Sequence, residues 1–353
     1  MGVLLLNLGG PDSIQAVKPF LYNLFSDRQI IRLGPKFLQK PFAWLISTIR
    51  SKKTEGLYSL IGGKSPIFDI TTAQAKALEK ALNNELEVEE SPPPIPPPRG
   101  GRVREGVAGV KVKVFVGMRY WHPFIEEVIP EIYNSGVRKL IALSLYPQYS
   151  LATSGSSISK LKEVVSKYKI KVFSIQSWYN HPLYIEALVD VIKKGFDSFT
   201  PALTLPPRGG GKGEGDIHVL FSAHSLPQKL IDEGDPYVEQ IMGTINEITK
   251  RLDIKWDLSY QSKSGPVRWL EPSTDEKIKE LAGKEVRNVL VVPISFVSDH
   301  IETLYEIDIL YRQMADGYGI NLRRTKPLNT HPVFIEALKD ITMKSMKETE
   351  WGK

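Results

Sequence analysis

The sequence predicts an α/β protein built from two similar doubly wound, Rossmann-like domains, each with a parallel sheet, and a cleft between them. Three observations carry that reading. Short runs rich in Val, Ile and Leu alternate with amphipathic stretches of helical period, the pattern of strands joined by crossover helices. The strand runs are almost wholly apolar, which calls for helices on both faces of each sheet. Finally, His181-Pro182-Leu183-Tyr184-Ile185-Glu186-Ala187-Leu188 returns as His331-Pro332-Val333-Phe334-Ile335-Glu336-Ala337-Leu338. Two halves that each close with the same helix explain that echo.

In chain order, Val3–Leu8 reads as a buried first strand, followed by strands at Val110–Gly117, Lys139–Leu145 and Lys171–Gln176. After a break come Ile217–Ser222, Asp257–Gln261 and Val289–Phe296. Helical periodicity lies between them at Ile125–Ser135, Ser156–Tyr168, Ile185–Phe196, Pro236–Arg251, Thr274–Ala282 and Ile301–Met314. Pro182 and Pro332 suit a first helical position, where the missing N–H would have no partner anyway. Glu186 and Glu336, close to the same helix starts, suit the positive end of the helix dipole. Residues 91–106 and 200–215 break the pattern, and both contain Pro-Pro-Arg-Gly-Gly. They are too poor in apolar residues to pack, and they lack the GxxxxGK[ST] spacing of a phosphate loop. They read as Pro/Gly-rich flexible inserts. The expected division is residues 1–199 with 328–353 as one domain and residues 216–327 as the second.

Composition excludes several functions. Among 353 residues there is no cysteine, so disulfides, thiolate zinc sites, cysteine-held iron–sulfur clusters and a cysteine nucleophile are all ruled out. The apolar run Val289–Val297 is nine residues long and contains Pro293, well short of the ~18 that cross a bilayer. The N-terminus lacks the basic flank of a signal peptide, so a soluble, cytoplasmic protein is expected. A net charge of +6 is too small to argue for nucleic acid.

Six histidines allow elimination. His122, His181 and His331 each precede a proline at a helix entry and read as structural, and His218 lies inside a strand. His224 falls at the carboxyl end of a buried strand, the edge that faces the ligand crevice in open α/β sheets. His300 follows another strand, beside Asp299 and ahead of Glu302 and Glu306. Those two glutamates are four residues apart and share a helix face, where like charges repel unless a cation or proton intervenes. Imidazole with carboxylate suits either a divalent first-row metal or proton abstraction. No HxxxH or HxxE spacing supports a permanent zinc site.

At these residues the chain resembles the ferrochelatase family, whose members insert ferrous iron into a porphyrin. The resemblance rests on Leu6-Asn7-Leu8-Gly9-Gly10-Pro11, Phe25-Ser26-Asp27-Arg28, Ile61-Gly62-Gly63-Lys64-Ser65-Pro66 and Gly117-Met118-Arg119-Tyr120. It continues through Tyr146-Pro147-Gln148-Tyr149-Ser150, Phe221-Ser222-Ala223-His224-Ser225-Leu226-Pro227 and Gly234-Asp235-Pro236-Tyr237. Gln261-Ser262-Lys263-Ser264-Gly265-Pro266 and the run Phe296–Asp308 complete it. The match implies a chelatase-like fold and the protoporphyrin-using branch, acting at the last step of haem synthesis with release of two protons. It implies His224 as the essential histidine and Glu302 as the carboxylate facing it, the pair also touching the metal. Glu306, Asp299, His300 and Asp308 would form a proton or metal path, although Leu310 stands where a further acid is usual. Leu8, Arg50, Ser65 and Arg119 match porphyrin-cleft positions, as do Tyr120, Tyr146, Trp269 and Phe296. No resident cofactor is implied, because iron is substrate, and without cysteine there is no iron–sulfur cluster. The preceding porphyrinogen oxidase is the implied protein partner.

Rival readings are a cobalt or nickel chelatase, a bilobal binding protein and a nicotinamide dehydrogenase. The last lacks GxGxxG, having Gly9-Gly10-Pro11 instead. In Ile31–Lys53 basic residues interleave with aromatic ones and no acid occurs. Pro35 and Pro41 suggest short helical pieces there, chiefly Phe42–Arg50, and the stretch suits peripheral contact with anionic lipid on the inner face of the cytoplasmic membrane. Excising residues 92–106 and 203–215 is expected to leave folding and metal insertion largely intact. Each doubling of loop length changes closure by only ~0.6 kcal/mol; urea unfolding and a steady-state assay of the deletion variant check this.

Overall fold

A computed structural model describes residues 1–31, 33–90, 111–199, 217–263, 265, 267–349 and 351. The two inserts lie outside the described residues. Strands β1 (Gly2–Asn7), β2 (Lys113–Met118), β3 (Lys139–Ser144) and β4 (Lys171–Ile175) form one parallel sheet in the order β2-β1-β3-β4. Strands β5 (Ile217–His224), β6 (Trp256–Gln261), β7 (Asn288–Pro293) and β8 (Asn321–Arg324) form a second, in the order β6-β5-β7-β8. The two orders are the same, so the halves share one topology, as the repeated helix entry predicts. Val3, Leu4, Leu5 and Leu6 are fully buried, the burial on both faces that a covered parallel sheet requires.

The helices are α1 (Val17–Ser26), α2 (Gln39–Leu60), α3 (Ile67–Glu90), α4 (Ile125–Asn134), α5 (Ser156–Val165) and α6 (Pro182–Asp197) in the first half. The second half adds α7 (Gln228–Asp232), α8 (Tyr237–Thr249), α9 (Thr274–Gly283), α10 (Arg312–Gly317) and α11 (Pro332–Glu348). Wide π-helical segments, Leu151–Gly155 and Glu302–Tyr311, lead into α5 and α10.

The last helix of each half crosses to the other. Helix α6 packs on α8 and β7, and α11 packs on α3 and β3. Both are therefore buried on most sides, and one continuous apolar core runs through both sheets, with smaller separate cores behind each sheet. The crossing is reciprocal: His181 Nε2 lies 2.9 Å from Asp340 Oδ2, and His331 Nε2 lies 2.7 Å from Asp190 Oδ2. Each histidine at a helix entry thus bonds the ninth residue after the other. Trp178 and Phe334 stack across the same seam with ring centroids 5.9 Å apart.

Several elements differ from expectation. Strand β5 runs two residues further, so His224 is its last residue. Strand β7 stops at Pro293, and residues 294–301 turn into the cleft. Strand β8 was not anticipated because Arg323 and Arg324 make it read as loop; it is short and charged, as edge strands are. Helices α1 and α3 were likewise unread. The stretch around Pro41 is one 22-residue helix rather than short pieces. Pro41 is its third residue, where the free N–H groups of the first turn leave proline no bond to break.

Gly195 of α6 sits against β7, and a Cβ there would lie 2.7 Å from Leu290 Cδ2. Gly195→Ala is expected to destabilise the protein by about 1–3 kcal/mol through overpacking, measured by urea unfolding. A neutral result would show that α6 does not pack on the second sheet as described.

Candidate active site

Carboxyl ends of strands from both halves meet at one crevice. Asn7 ends β1 and Leu8 follows it, Leu145 and Tyr146 follow β3, and Phe296 and His300 follow β7, and all line one cavity. This is the switch-point side of each sheet, where ligands bind in open α/β folds. His224, at the end of β5, is anchored through its backbone: its N–H donates to Ser295 Oγ at 2.9 Å and its carbonyl accepts from Tyr237 OH at 2.9 Å.

The imidazole meets a carboxylate. His224 Nδ1 lies 2.7 Å from Glu302 Oε2, with the His224 side chain 32% exposed and that of Glu302 15%. A carboxylate accepts, so Nδ1 carries the hydrogen and Nε2 keeps the lone pair. Ser262 Oγ lies 2.8 Å from the same Glu302 oxygen and 2.5 Å from Glu306 Oε2. Gln261 Nε2 donates to the Glu302 carbonyl at 3.1 Å, holding the start of the π-helical segment to the end of β6.

These contacts set the charges. Burial alone would lower the His224 imidazole, but the Glu302 carboxylate, with Glu306 behind it, outweighs burial and holds it above its ordinary value. Burial would raise Glu302, yet His224, His300 and the Ser262 hydroxyl hold it well below the usual carboxylate range. Glu306 goes the other way: burial and the Glu302 charge push it up to about 7. Adjacent carboxylates driven apart in this way mark sites that hold or move protons.

His300 is buried and its Nδ1 donates to the Ser298 carbonyl at 3.1 Å, leaving Nε2 3.8 Å from Glu302 Oε1. Burial lowers its proton affinity, against the opposing pull of Glu302 and the Ser298 carbonyl. Phe296 packs on it with centroids 4.2 Å apart.

Asp299 and Asp308 do not join the Glu302–Ser262–Glu306 chain. Both pair with Arg324 of β8: Asp308 takes two bonds, at 2.8 and 2.6 Å, and Asp299 one contact at 3.0 Å. Arg119 Nη2 is bonded to Asp27 Oδ2 at 2.6 Å and its Nε to Ser156 Oγ at 2.8 Å. Tyr120 OH joins that network, 2.8 Å from Asp27. Ser65 is buried beside Gly10. Arg50 stands 5.5 Å over Phe25, and Trp269 Nε1 donates to the Gly265 carbonyl at 3.4 Å.

The model of the Ferrochelatase family matches residues 1–93 and 101–346. A curated relative named ferrochelatase, from Gloeothece citriformis, is 45% identical over 359 residues, covering 99% of this chain and 84% of that one. Another, from Geotalea uraniireducens, is 46% identical over 348 residues, covering 98% and 97%. This chain belongs to the ferrochelatase family. Its reaction is that of a porphyrin metal chelatase, a lyase that inserts ferrous iron in haem synthesis. Among solved structures, SirB from Bacillus subtilis with Fe3+ is similar with a TM-score of 0.48 at 14% identity, over 68% of this chain and 85% of that one. With no cysteine, this chain has no thiolate to offer an iron–sulfur cluster.

Sequence reasoning missed Ser262, Ser295, Tyr237 and Arg324. Ser262 and Ser295 each follow a strand by one or two residues, a usable signal once the strand order places both beside β5. Nothing in sequence marks Arg324 as the partner of Asp299 and Asp308.

His224 is expected to titrate above the ordinary ~6.5 of histidine in the metal-free protein. In Glu302→Gln the midpoint should fall, because burial is then opposed only by the more distant Glu306. Nitrogen-15 NMR of the imidazole reads both; an unchanged midpoint would dissociate the pair.

Proposed function

We propose that the substrates are protoporphyrin IX and ferrous iron, and that His224 takes the pyrrole protons. The observation that supports this most is the 2.7 Å contact of His224 with Glu302 at the carboxyl end of β5. Free-base porphyrin carries two N–H hydrogens in the space iron must occupy, and a base has to remove them. With Nδ1–H turned to Glu302, Nε2 has the lone pair for that task, and the negative carboxylate stabilises the imidazolium that results. Imidazole nitrogen and carboxylate oxygen are also weak ligands for ferrous iron, suited to stepwise loss of its waters. Binding energy from the ring's periphery would bend the macrocycle and expose its nitrogens.

Leu8, Tyr146 and Phe296 would cover the ring, a role supported by their place on the crevice. Arg50, Ser65, Arg119, Tyr120 and Trp269 are assigned to its edge and propionates, with Arg119 and Tyr120 fixed in place by Asp27. Glu306 would carry protons onward and His300 would steady Glu302, whereas Asp299 and Asp308 are assigned to Arg324 rather than to the path. Residues 1–199 with 328–353 and residues 216–327 are taken as the two domains, a division supported by the packing of α11 on α3 and β3.

His224→Ala is expected to lower turnover at least about a hundredfold while porphyrin still binds. An anaerobic assay of metalloporphyrin absorbance and a fluorescence titration read the two separately. Near-normal turnover would remove the base role.

A peripheral membrane site is supported by exposure on and before α2. Phe37 is 77% exposed, Ile49 69% and Trp44 57%, and Lys36, Lys40, Lys52 and Lys53 accompany them. No helix among the described residues is long and apolar enough to cross a membrane. Aromatic side chains entering the headgroup region, with ~1 kcal/mol from each nearby lysine, give reversible attachment. Flotation with anionic vesicles should show salt-sensitive binding, lost in Phe37→Ser with Trp44→Ser; no binding at low salt would sink the idea.

A further inference from the structure

We propose that Ser262 is a positioning and relay residue: its hydroxyl joins Glu302 to Glu306, holding the first carboxylate on His224 and passing substrate protons to the second. This rests on the reading of His224 as proton acceptor. The residue owes its place to strand order. His224 is paired in register with Gln261, the last residue of β6, so the next residue after Gln261 arrives beside the histidine.

The backbone there is unusual. Ser262 has φ +68°, the left-handed region in which L residues other than glycine are disfavoured by contact of Cβ with the backbone. Glycine would occupy that conformation with least strain, but it would bring no hydroxyl. Strain of this kind persists where the surrounding structure imposes it, commonly at functional sites. What the strained backbone achieves is visible: Oγ stands 2.8 Å from Glu302 Oε2 and 2.5 Å from Glu306 Oε2. Glu302 Oε2 is also the atom facing His224 Nδ1 at 2.7 Å. The atoms Nδ1, Oε2, Oγ and Oε2 therefore form one unbroken line.

A hydroxyl has a single hydrogen and can donate to only one of two carboxylates. The line is complete when Ser262 donates to Glu302 and accepts from a proton on Glu306. Relay then runs with every proton accounted for. Glu306, which is partly exposed, releases its proton to water. His224 takes a pyrrole proton at Nε2 and gives its Nδ1 hydrogen to Glu302. The Ser262 hydroxyl turns to pass its own hydrogen to Glu306 and accepts the one from Glu302, which leaves His224 as the Nε2–H tautomer with one proton moved per pass. One proton enters at the imidazole and one leaves at Glu306, and only N–H and O–H bonds change. A serine serving merely as a local cap would bond backbone N–H groups, whereas Ser262 bonds two carboxylates far along the chain, at separations of 40 and 44 residues.

The test compares Ser262→Gly, Ser262→Ala and Ser262→Thr in the full chain with protoporphyrin and ferrous iron under anaerobic conditions. Thermal melting is followed alongside. Ser262→Gly should be at least as stable as wild type, because the left-handed strain is relieved, yet its kcat should fall about tenfold to a hundredfold with KM for porphyrin unchanged. Ser262→Thr keeps the hydroxyl on a more strained, β-branched residue; it should be the least stable variant and retain more turnover than Ser262→Gly. Activity and stability thus rank in opposite orders. Wild-type kcat in Ser262→Gly, or activity that follows stability, would overturn the relay. If Ser262→Gly does not fold, Ser262→Asn, which tolerates the same backbone, takes its place with the same expectation. Wild type and His224→Ala run as controls: failure of wild type to metallate porphyrin, or full turnover in His224→Ala, counts against the base role itself. A normal control pair with full turnover in Ser262→Gly counts against the relay alone.

Discussion

The exchange of α6 and α11 between the two halves is the constraint on which the rest depends. About half the residues of each helix are buried, a face wide enough to need partners on more than one side. Once α6 lies on β7 and α11 on β3, the sheets share one core, and their carboxyl ends are held to one crevice. A chain connection by itself could not supply that alignment, because it constrains only chain ends. Close packing does, since a buried interface resists displacements of even a methylene's width. The reciprocal His181–Asp340 and His331–Asp190 contacts add direction to what hydrophobic burial alone leaves non-directional.

Within that frame the second half sorts its acidic residues into two environments. Asp299 and Asp308 are neutralised by one guanidinium, Arg324, which fixes the π-helical segment to the edge strand. Glu302 and Glu306 receive no such cation. Their repulsion is relieved instead by an imidazole at one end and a shared hydroxyl between them. Four acids within ten residues thus divide into two paired with Arg324 and two bridged by the Ser262 hydroxyl. A separation of this kind lets a base act at neutral pH while its surroundings stay rigid.

The first half contributes shape rather than charge. Asp27 gathers Arg119, Tyr120 and Ser156 into a buried network, tying the end of α1 to the loop after β2 and to the start of α5. Every member has a partner, the condition under which buried polar groups rigidify instead of destabilise. The phenols of Tyr146 and Tyr237 are held un-ionised chiefly by burial, with the Glu302 charge adding to it directly at Tyr146 and behind Tyr260 at Tyr237. The crevice therefore offers an apolar wall on one side and proton-accepting groups on the other.

Much of this was legible in the chain itself. Apolar runs of strand length are decided locally, by burial on two faces, so seven of the eight described strands could be read without coordinates. The repeated His-Pro entry disclosed two equivalent halves, and eliminating histidines at helix entries left His224 and His300. The grouping of residues 328–353 with the first half was expected, but only the tertiary structure decided that α6 crosses in exchange, because an amphipathic pattern says that a face is buried and not against what. Strand order likewise cannot be read from strand identity, so Ser262 gave no sign of lying beside His224 until β6 and β5 were paired. Charge partnership is the third case: Asp308 and Glu306 look alike two residues apart, and only the tertiary structure pairs the first with Arg324 and sets the second against Ser262 and Gln261.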